Sequence, residues 1–119
     1  MIRLILITLT VLFVLYYLFP IIQVCGCSMY PTYRDGEILI GYKLFLRRSL
    51  KEGDVILYYS PTEVGRVVIK RIAHIKKEYG RTYLYCLGDN ADNSEDSRYY
   101  GYVPARKVIC KVFNQRRKR

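Results

Sequence analysis

The hydrophobic pattern divides the chain into one long apolar run and a series of shorter segments. Residues 4–22 are almost purely apolar, and no charged residue occurs between Leu4 and Tyr33. This length is close to the roughly 20 apolar residues with which a helix crosses a membrane. A cleaved leader is the alternative, but the run exceeds a typical leader core and no A-x-A-like cleavage site follows it. The pattern therefore predicts an uncleaved, membrane-spanning helix within an anchor segment, residues 1–24.

After this segment the pattern changes to short runs rich in β-branched and aromatic residues, which are typical of strands. The predicted strands are residues 37–42, 54–59, 66–75, 82–87 and 107–113, with a hairpin turn at 76–81 and a polar loop at 88–98. The predicted fold class is mainly β: one N-terminal transmembrane helix, then a small, mostly antiparallel β domain at residues 25–113. Residues 114–119 form a basic C-terminal tail, predicted to be frayed and solvated, with attraction to membrane lipid as the alternative.

Length and charge restrict the classes of protein that the chain can belong to. With 119 residues it has room for one domain. Lys and Arg number 20 against 10 Asp and Glu, so the net charge of +10 suits an anionic membrane surface or a nucleic acid. No groove-reading helix or stacking motif accompanies this charge, and nucleic acid is not an expected partner. The apolar patch at residues 44–46 is predicted to be core, or else a loop at the lipid headgroups.

The four cysteines do not have the spacing of a metal site. Cys25 and Cys27 are one residue closer than the usual zinc-ligand pair, and Cys86 and Cys110 stand alone. The loop at 88–98 lacks the alternating oxygen ligands and central glycine of a calcium loop. No metal and no other cofactor is expected. Cys86 and Cys110 are predicted to lie on neighbouring strands, either as a disulfide or as small buried apolar residues.

Lys70 is a charged residue between apolar neighbours on one strand face. Strand alternation places it between Val68 and Ile72 on one side of the segment 66–75. Such a lysine is either an edge residue that discourages aggregation, which is the commoner case, or a partly buried amine. Alternation puts His74, the only histidine, on the same face about 13 Å away. We therefore expect His74 to be a structural or surface residue.

Ser28 lies where the apolar run ends and the folded sequence begins. Pro31 fixes its own φ angle and Gly26 permits close backbone approach, so the segment favours a rigid local geometry. A serine at this boundary is placed to meet a substrate that is leaving the membrane. The same residues also fit an ordinary turn after an anchor, because a short motif of this kind arises often by chance.

Several motifs, taken together and in this order, resemble bacterial signal peptidase I, the membrane-anchored serine protease that removes signal peptides from secreted proteins. The resemblance spans nearly the whole chain, and its last block is long and specific. The matching residues are Ser28-Met29-Tyr30-Pro31-Thr32, Gly53-Asp54-Val55, Lys70-Arg71, Gly88-Asp89-Asn90, Ser94-Glu95-Asp96-Ser97-Arg98-Tyr99 and Gly101-Tyr102-Val103-Pro104.

The resemblance implies a Ser–Lys dyad in which Ser28 is the nucleophile and Lys70 the general base. Lysine accepts a proton only when neutral, so its pKa must fall from about 10.4 by burial. Ser28 then forms an acyl-enzyme, and its backbone N–H donates to the oxyanion. The resemblance further implies that Ser94 orients Lys70 and that Asp96 and Arg98 form a supporting ion pair. It assigns Gly88, Asp89 and Asn90 to the supporting loop and Met29 and Pro31 to substrate contacts.

The implied function is cleavage of signal peptides from translocated preproteins with small residues one and three positions before the cut. The domain would lie on the outer face of the plasma membrane, although Arg34, Lys43 and nearby basic residues favour the cytoplasm on a literal positive-inside count. Gly26 stands where some family members carry a serine, so the second oxyanion donor stays open. The short interval after Lys70 leaves no room for the accessory insertion of larger relatives. The alternatives are a dedicated maturation protease for one pilin-like or secreted substrate, and a non-catalytic membrane-anchored relative.

Overall fold

The computed structural model describes residues 1–44 and 49–118, which form an N-terminal helix and a seven-stranded sheet. All neighbouring strands are antiparallel, in the order β1-β2-β7-β3-β4-β5-β6. The mainly-β, mostly antiparallel fold predicted from the sequence is confirmed. The elements are α1 (Ile2–Leu18), β1 (Ile21–Gln23), β2 (Ile38–Tyr42), β3 (Val55–Tyr59), β4 (Val67–Glu78), β5 (Arg81–Leu87), α2 (Ser97–Tyr100), β6 (Val103–Pro104) and β7 (Val108–Val112).

The apolar run at residues 4–22 divides into a helix and a strand instead of forming one continuous helix. Helix α1 covers 17 residues and ends before Phe19, which adopts φ −122° and ψ 72°. Phe19 precedes Pro20, and a residue before proline is pushed out of the helical region by steric contact with the proline ring. Strand β1 then pairs with β2, with Ile21 opposite Ile40. Within residues 1–44 and 49–118, we find no helix with both the length and the apolar character that crossing a membrane requires.

The hydrophobic core occupies both faces of the central strands. Alternate residues of a strand point to opposite faces, and in β3 they belong to two different clusters. Val55 and Leu57 pack in the first cluster with residues of β1, β2 and β7. Ile56 and Tyr58 pack in the second cluster with residues of β4, β5 and β6. Strand β3 is therefore buried at every position but its last, as expected for a strand that is covered on both sides.

Strand β4 lies between β3 and β5, but its pairing with β5 begins at Arg71, so Lys70 is paired with β3 alone. Its side chain is nevertheless only 4% exposed, which fits a buried amine and not a solvent-facing edge lysine. A β-bulge between Ile72 and His74 also shifts the alternation, and Ile75 packs against the same cluster as Ile72. His74 therefore leaves the face that carries Lys70, contrary to the prediction from strict alternation. It is exposed, with Nδ1 4.0 Å from Glu52, as expected for a surface residue.

Cys86 and Cys110 do not lie on neighbouring strands. Cys86 belongs to β5 and Cys110 to β7, and β3 and β4 run between these two strands. The two thiols are free and are buried in different clusters. The prediction that Cys86 and Cys110 are adjacent is wrong because β7 pairs with β2 and β3. This pairing joins segments that are far apart in the sequence, and strand propensity does not predict it.

The start of the C-terminal tail is held against the domain instead of being frayed. The Gln115 side chain bonds both backbone groups of Val55, and the Tyr33 hydroxyl donates to the Asn114 carbonyl at 2.7 Å. Arg116 forms an ion pair with Glu37, donates to a backbone carbonyl and lies 4.9 Å from the centroid of the Tyr33 ring. Apart from Leu44, the apolar patch predicted at residues 44–46 falls outside the described residues.

Candidate active site

Lys70 begins a chain of polar contacts beneath the sheet surface. It is only 4% exposed, and its Nζ lies 3.2 Å from Ser94 Oγ. Ser94 Oγ in turn donates to Asp96 Oδ2 at 2.7 Å. Arg98 holds the same carboxylate through Nε and Nη2 at 3.0 and 2.8 Å. The structure thus brings together four residues that lie on β4 and in the loop after β5.

The surroundings of Lys70 disfavour its charged form. Burial lowers the pKa of the Lys70 amine, because a charge loses its hydration away from water. The Asp96 carboxylate opposes this change, while Arg66 and Arg98 add to it through like-charge repulsion. The net direction is downward, toward the neutral amine that proton abstraction requires.

Asp96 stays ionised although it has no exposed surface. Burial by itself would raise the pKa of this carboxyl group, but hydrogen bonds from Arg98, the Gly88 N–H and Ser94 outweigh burial and hold the pKa well below its usual range. The Gly88 N–H donates to Oδ2 at 2.9 Å. A fixed anion therefore anchors the loop that carries Ser94.

The loop after β5 also holds the backbone of Ser28. The Asn90 N–H donates to the Ser28 carbonyl at 2.8 Å, and Asn90 Nδ2 donates to the Cys27 carbonyl at 3.0 Å. Gly88 lies directly against this contact, since a Cβ there would stand 2.6 Å from the Ser28 carbonyl oxygen and 2.1 Å from Ser94 Oγ. The turn with Ser28 and the loop with Ser94 therefore meet at Gly88, where only glycine fits without a shift.

Asp89 ties this loop back to β4 through a partner that the sequence analysis did not single out for a role. Arg71 forms a bidentate pair with Asp89 at 2.9 and 2.8 Å and also donates to the Gly53 carbonyl. A planar guanidinium suits a carboxylate in this geometry. The sequence indicated only the strand face of Arg71: because Arg71 directly follows Lys70, its side chain points to the opposite face of β4.

Met29 and Pro31, the two residues predicted to contact substrate, do not line the cavity beside Ser28. Met29 is fully buried in the first core cluster, and its sulfur accepts the Asp89 N–H at 3.4 Å. The Met29 side chain has no exposed surface and fixes the turn to the core. Its contact with substrate stays a prediction. Pro31 is partly buried.

A cavity of about 460 Å³ contains both Ser28 and Lys70 in its lining. The lining comes from β1 and the segment up to Ser28, from the first half of β4, and from the region 93–100. In the part of the chain that the structure describes, no hydrogen bond joins the Ser28 hydroxyl to the Lys70 amine. The same part contains no group of three or more His, Cys, Asp or Glu side chains that would hold a metal ion.

Tyr100 is a further cavity residue that sequence reasoning missed. Its hydroxyl hydrogen-bonds the hydroxyl of buried Tyr58, which joins the short helix α2 to β3. Burial, the largest influence, raises the pKa of Tyr100 to about 12, so both hydroxyls stay protonated at neutral pH. The sequence held only a weak signal, namely an aromatic residue shortly after the Asp96 and Arg98 block.

Comparison with known proteins relates this sequence to peptidases of the signal peptidase type. A model of the family described as "Signal peptidase, peptidase S26" matches residues 1–76 and 77–115. The match covers nearly the whole sequence, and the chain belongs to this family. The resemblance seen in the sequence motifs is thereby confirmed.

Individual relatives support the same assignment. Mitochondrial inner membrane protease subunit 1 of Schizosaccharomyces pombe is 33% identical over 113 residues, covering 81% of this chain and 72% of the relative. The protein of the same name from Mus musculus is 25% identical over 114 residues, covering 82% and 69%. Signal peptidase I of Aquifex aeolicus is 48% identical over 31 residues, covering 26% of this chain and 12% of the relative.

Proposed function

We propose that this protein is a membrane-anchored serine endopeptidase that cleaves signal peptides from translocated preproteins by a Ser28–Lys70 dyad. The observation that carries the proposal is the shared cavity, in which Ser28 lies at the wall and Lys70 is a buried amine with a lowered pKa. Family membership supports the protease class. The names of the relatives support a membrane location, as does the apolar surface of α1, of which no residue is buried.

In the proposed reaction, neutral Lys70 takes the proton from Ser28 Oγ as that oxygen attacks the scissile carbonyl carbon. The Ser28 N–H donates to the oxyanion that forms. The protonated lysine then gives its proton to the leaving amine, and a covalent acyl-serine remains. Water hydrolyses this ester with Lys70 again acting as the base. Ser94 positions the amine through its 3.2 Å contact, and Asp96 fixes Ser94.

The test is cleavage of a preprotein and of matched peptides by the detergent-solubilised full chain. Ser28→Ala removes the nucleophile and should abolish cleavage. Lys70→Arg should do the same because a guanidinium keeps its proton. Ser94→Ala removes only an orienting hydrogen bond and should weaken cleavage less. His74→Ala is the control, since His74 is exposed and does not line the cavity. Near-normal turnover by Lys70→Arg, or loss of turnover in His74→Ala, would refute the dyad.

The same assay tests the substrate class. We expect cleavage of peptides that carry Ala or Gly one and three positions before the cut, and poor cleavage of versions with Leu or Phe there. An extended peptide of this kind would lie beside β1 or β4, whose residues line the cavity. Equal cleavage of the Leu and Phe versions would exclude small-residue specificity. Cleavage confined to one secreted or pilin-like substrate would support a dedicated maturation protease.

The proposed location places the domain on the outer face of the plasma membrane, where translocated preproteins present their cleavage sites. Protease added to intact spheroplasts should therefore digest the domain. Digestion that occurs only after lysis would reverse the orientation and exclude secretory processing.

A further inference from the structure

Two thiols stand next to Ser28, and the proposed cleavage reaction uses neither of them. Cys25 and Cys27 are free and exposed, and both line the cavity that contains Ser28 and Lys70. The other two cysteines, Cys86 and Cys110, are also free but are buried in the core. The chain therefore carries one accessible pair of thiols, and that pair flanks Gly26 at the wall of the cavity.

The backbone between the two thiols is bent in a way that favours their approach. In an extended chain, side chains two residues apart share a side, but their Cα atoms are about 7 Å apart. That separation is at the upper limit for a disulfide, roughly 6.8 Å. Here the chain bends at Gly26, which has φ +89°, so it departs from the extended form that sets this separation. The space beside Gly26 is open, since an added Cβ there would meet no atom within 4 Å.

We propose that Cys25 and Cys27 form a dithiol modification site that small disulfides oxidise, and that the resulting Cys25–Cys27 disulfide stops cleavage at Ser28. The second half of this proposal rests on the proposed function. The first half concerns the thiols alone and holds or fails independently of catalysis.

The oxidation is an ordinary thiol–disulfide exchange with a small disulfide such as oxidised glutathione. One cysteine thiolate attacks a glutathione sulfur, a protein–glutathione disulfide forms, and the first glutathione thiolate leaves. The second cysteine thiolate attacks the protein sulfur of that bond and displaces the second glutathione thiolate. The two protein thiols lose two protons and two electrons in total, and the small disulfide gains them to become two thiols. Cys86 takes no part, because it is buried and burial raises the pKa of its thiol to about 12.

Ring closure acts on Ser28 through the peptide that joins Cys27 to Ser28. The Cys27 carbonyl accepts hydrogen bonds from Asn90 Nδ2 at 3.0 Å and from the Tyr30 N–H at 3.1 Å. The N–H of the same peptide is the proposed oxyanion donor. A ring of this size fixes the dihedral angles of residues 25–27, which turns the peptide away from its hydrogen-bond partners. A misplacement of about 1 Å at such a donor costs on the order of 100-fold in rate.

The experiment treats the full chain in detergent micelles with oxidised glutathione and follows two readouts. Mass spectrometry of protein alkylated without reduction maps the thiols, and peptide cleavage gives kcat/KM before and after oxidation. The double variant Cys25→Ser/Cys27→Ser has no thiol at the cavity, so it forms neither the ring nor a glutathione adduct there. Each protein is compared with its own reduced form, because the substitutions lie at the cavity.

In the wild type we expect the peptide that contains Cys25 and Cys27 to lose the mass of two hydrogens and to escape alkylation. Cleavage should fall on the order of 100-fold and return after treatment with dithiothreitol. The double variant should keep its reduced-state activity in the oxidant. Alkylation of both thiols in oxidised wild type would overturn the site. Full activity of the ring-closed protein, or equal inactivation of the double variant, would overturn the switch. If reduced wild type cleaves nothing, the proposed function and the switch both fail, while the mass map still decides the dithiol site.

Discussion

Lys70 combines two properties that rarely occur together, a cationic side chain and almost complete burial. Its amine has Ser94 as a hydrogen-bond partner within the described residues, and it is almost without exposed surface. Desolvation is the largest cause of its lowered pKa. The same burial that destabilises the charged form therefore prepares the amine for proton abstraction.

The first prediction concerns the pH dependence of cleavage. Because only neutral Lys70 accepts the proton, kcat/KM should rise with pH on a limb that lies below the free-lysine pKa of about 10.4. The measurement is a pH–rate profile with a small-residue peptide, in which the concentration of folded enzyme is followed by circular dichroism. A limb at or above the free-lysine value would show that burial does not shift this amine in solution.

The free energy of unfolding reports the lowered pKa of Lys70 without an activity assay. The folded-state pKa of Lys70 is lowered, so between that value and about 10.4 the unfolded chain binds more protons than the folded one. The contribution of Lys70 to stability should therefore improve as pH rises through this interval. Lys70→Met keeps the volume and removes the titration, so the difference between the two unfolding free energies isolates Lys70. A difference that does not change with pH would contradict the assignment.

Asp96 provides the second prediction, because a fully buried carboxylate depends on its partners. Asp96→Asn leaves Arg98 without its counter-ion and weakens the bonds from Gly88 and Ser94. We expect a loss of about 3 kcal/mol in the free energy of unfolding at neutral pH, measured with urea. The folded-state pKa of Asp96 is depressed, so its contribution exists above the unfolded value of about 3.9 and disappears as pH falls below it.

The matched control for this substitution is Asp92→Asn, which makes the same chemical change at an exposed position in the neighbouring turn. It should change stability by no more than about 0.5 kcal/mol. Equal effects of the two substitutions would mean that the Asp96 hydrogen bonds add no stability beyond general surface charge.

At the scale of elements, the third prediction concerns the junction between the Ser28 turn and the loop after β5. Gly88→Ala places a Cβ against the Ser28 carbonyl and the Ser94 side chain, and the backbone oxygen cannot move without carrying Ser28 with it. We expect a large loss of kcat/KM together with a lower melting temperature. Gly80→Asn is the control, because Gly80 lies at the β4–β5 hairpin with φ +75° and open space, and asparagine tolerates that conformation. Normal cleavage by Gly88→Ala would show that the two segments are not in contact in solution.

The elements also show which parts of the fold the sequence could predict. Strands β2, β3, β5 and β7 follow from dense runs of β-branched and aromatic residues, and their ends differ from prediction by at most one residue. Strands β1 and β6 were missed because each is very short and gains its stability from a partner strand. The bulge after Ile72 was also missed, since a one-residue irregularity leaves no trace in a pattern of alternating residues.

The candidate site was predictable to a similar extent. The resemblance to signal peptidase I pointed to Ser94 and Asp96, and in the structure Ser94 contacts Lys70 and Asp96 contacts Ser94. The pairing of Arg71 with Asp89 and of Tyr100 with Tyr58 depends on which strands become neighbours. Strand order is set by long-range contacts, so local patterns cannot supply such pairs.

At the scale of the whole molecule, α1 differs from the strands because it buries none of its residues. Its surface is apolar around the full circumference, whereas the strands cover one another on both sides of the sheet. A helix that is apolar all round is normally surrounded by apolar material. We propose that lipid supplies this surrounding and that the β domain is tethered to the membrane surface through α1.

The last prediction tests that tether through two substitutions in the middle of the helix. Leu9 and Leu12 are 58% and 57% exposed, so replacing both with Asp should leave the sheet and its melting temperature unchanged. Each Asp opposes insertion into lipid by about 3 kcal/mol, so flotation with phospholipid vesicles should fall on the order of 100-fold or more. The double Leu→Ile variant keeps the apolar surface and should float like the wild type. If the Asp variant also floats, the membrane is bound elsewhere, and the exposed Ile38 and Ile40 on β2 become the element to substitute next.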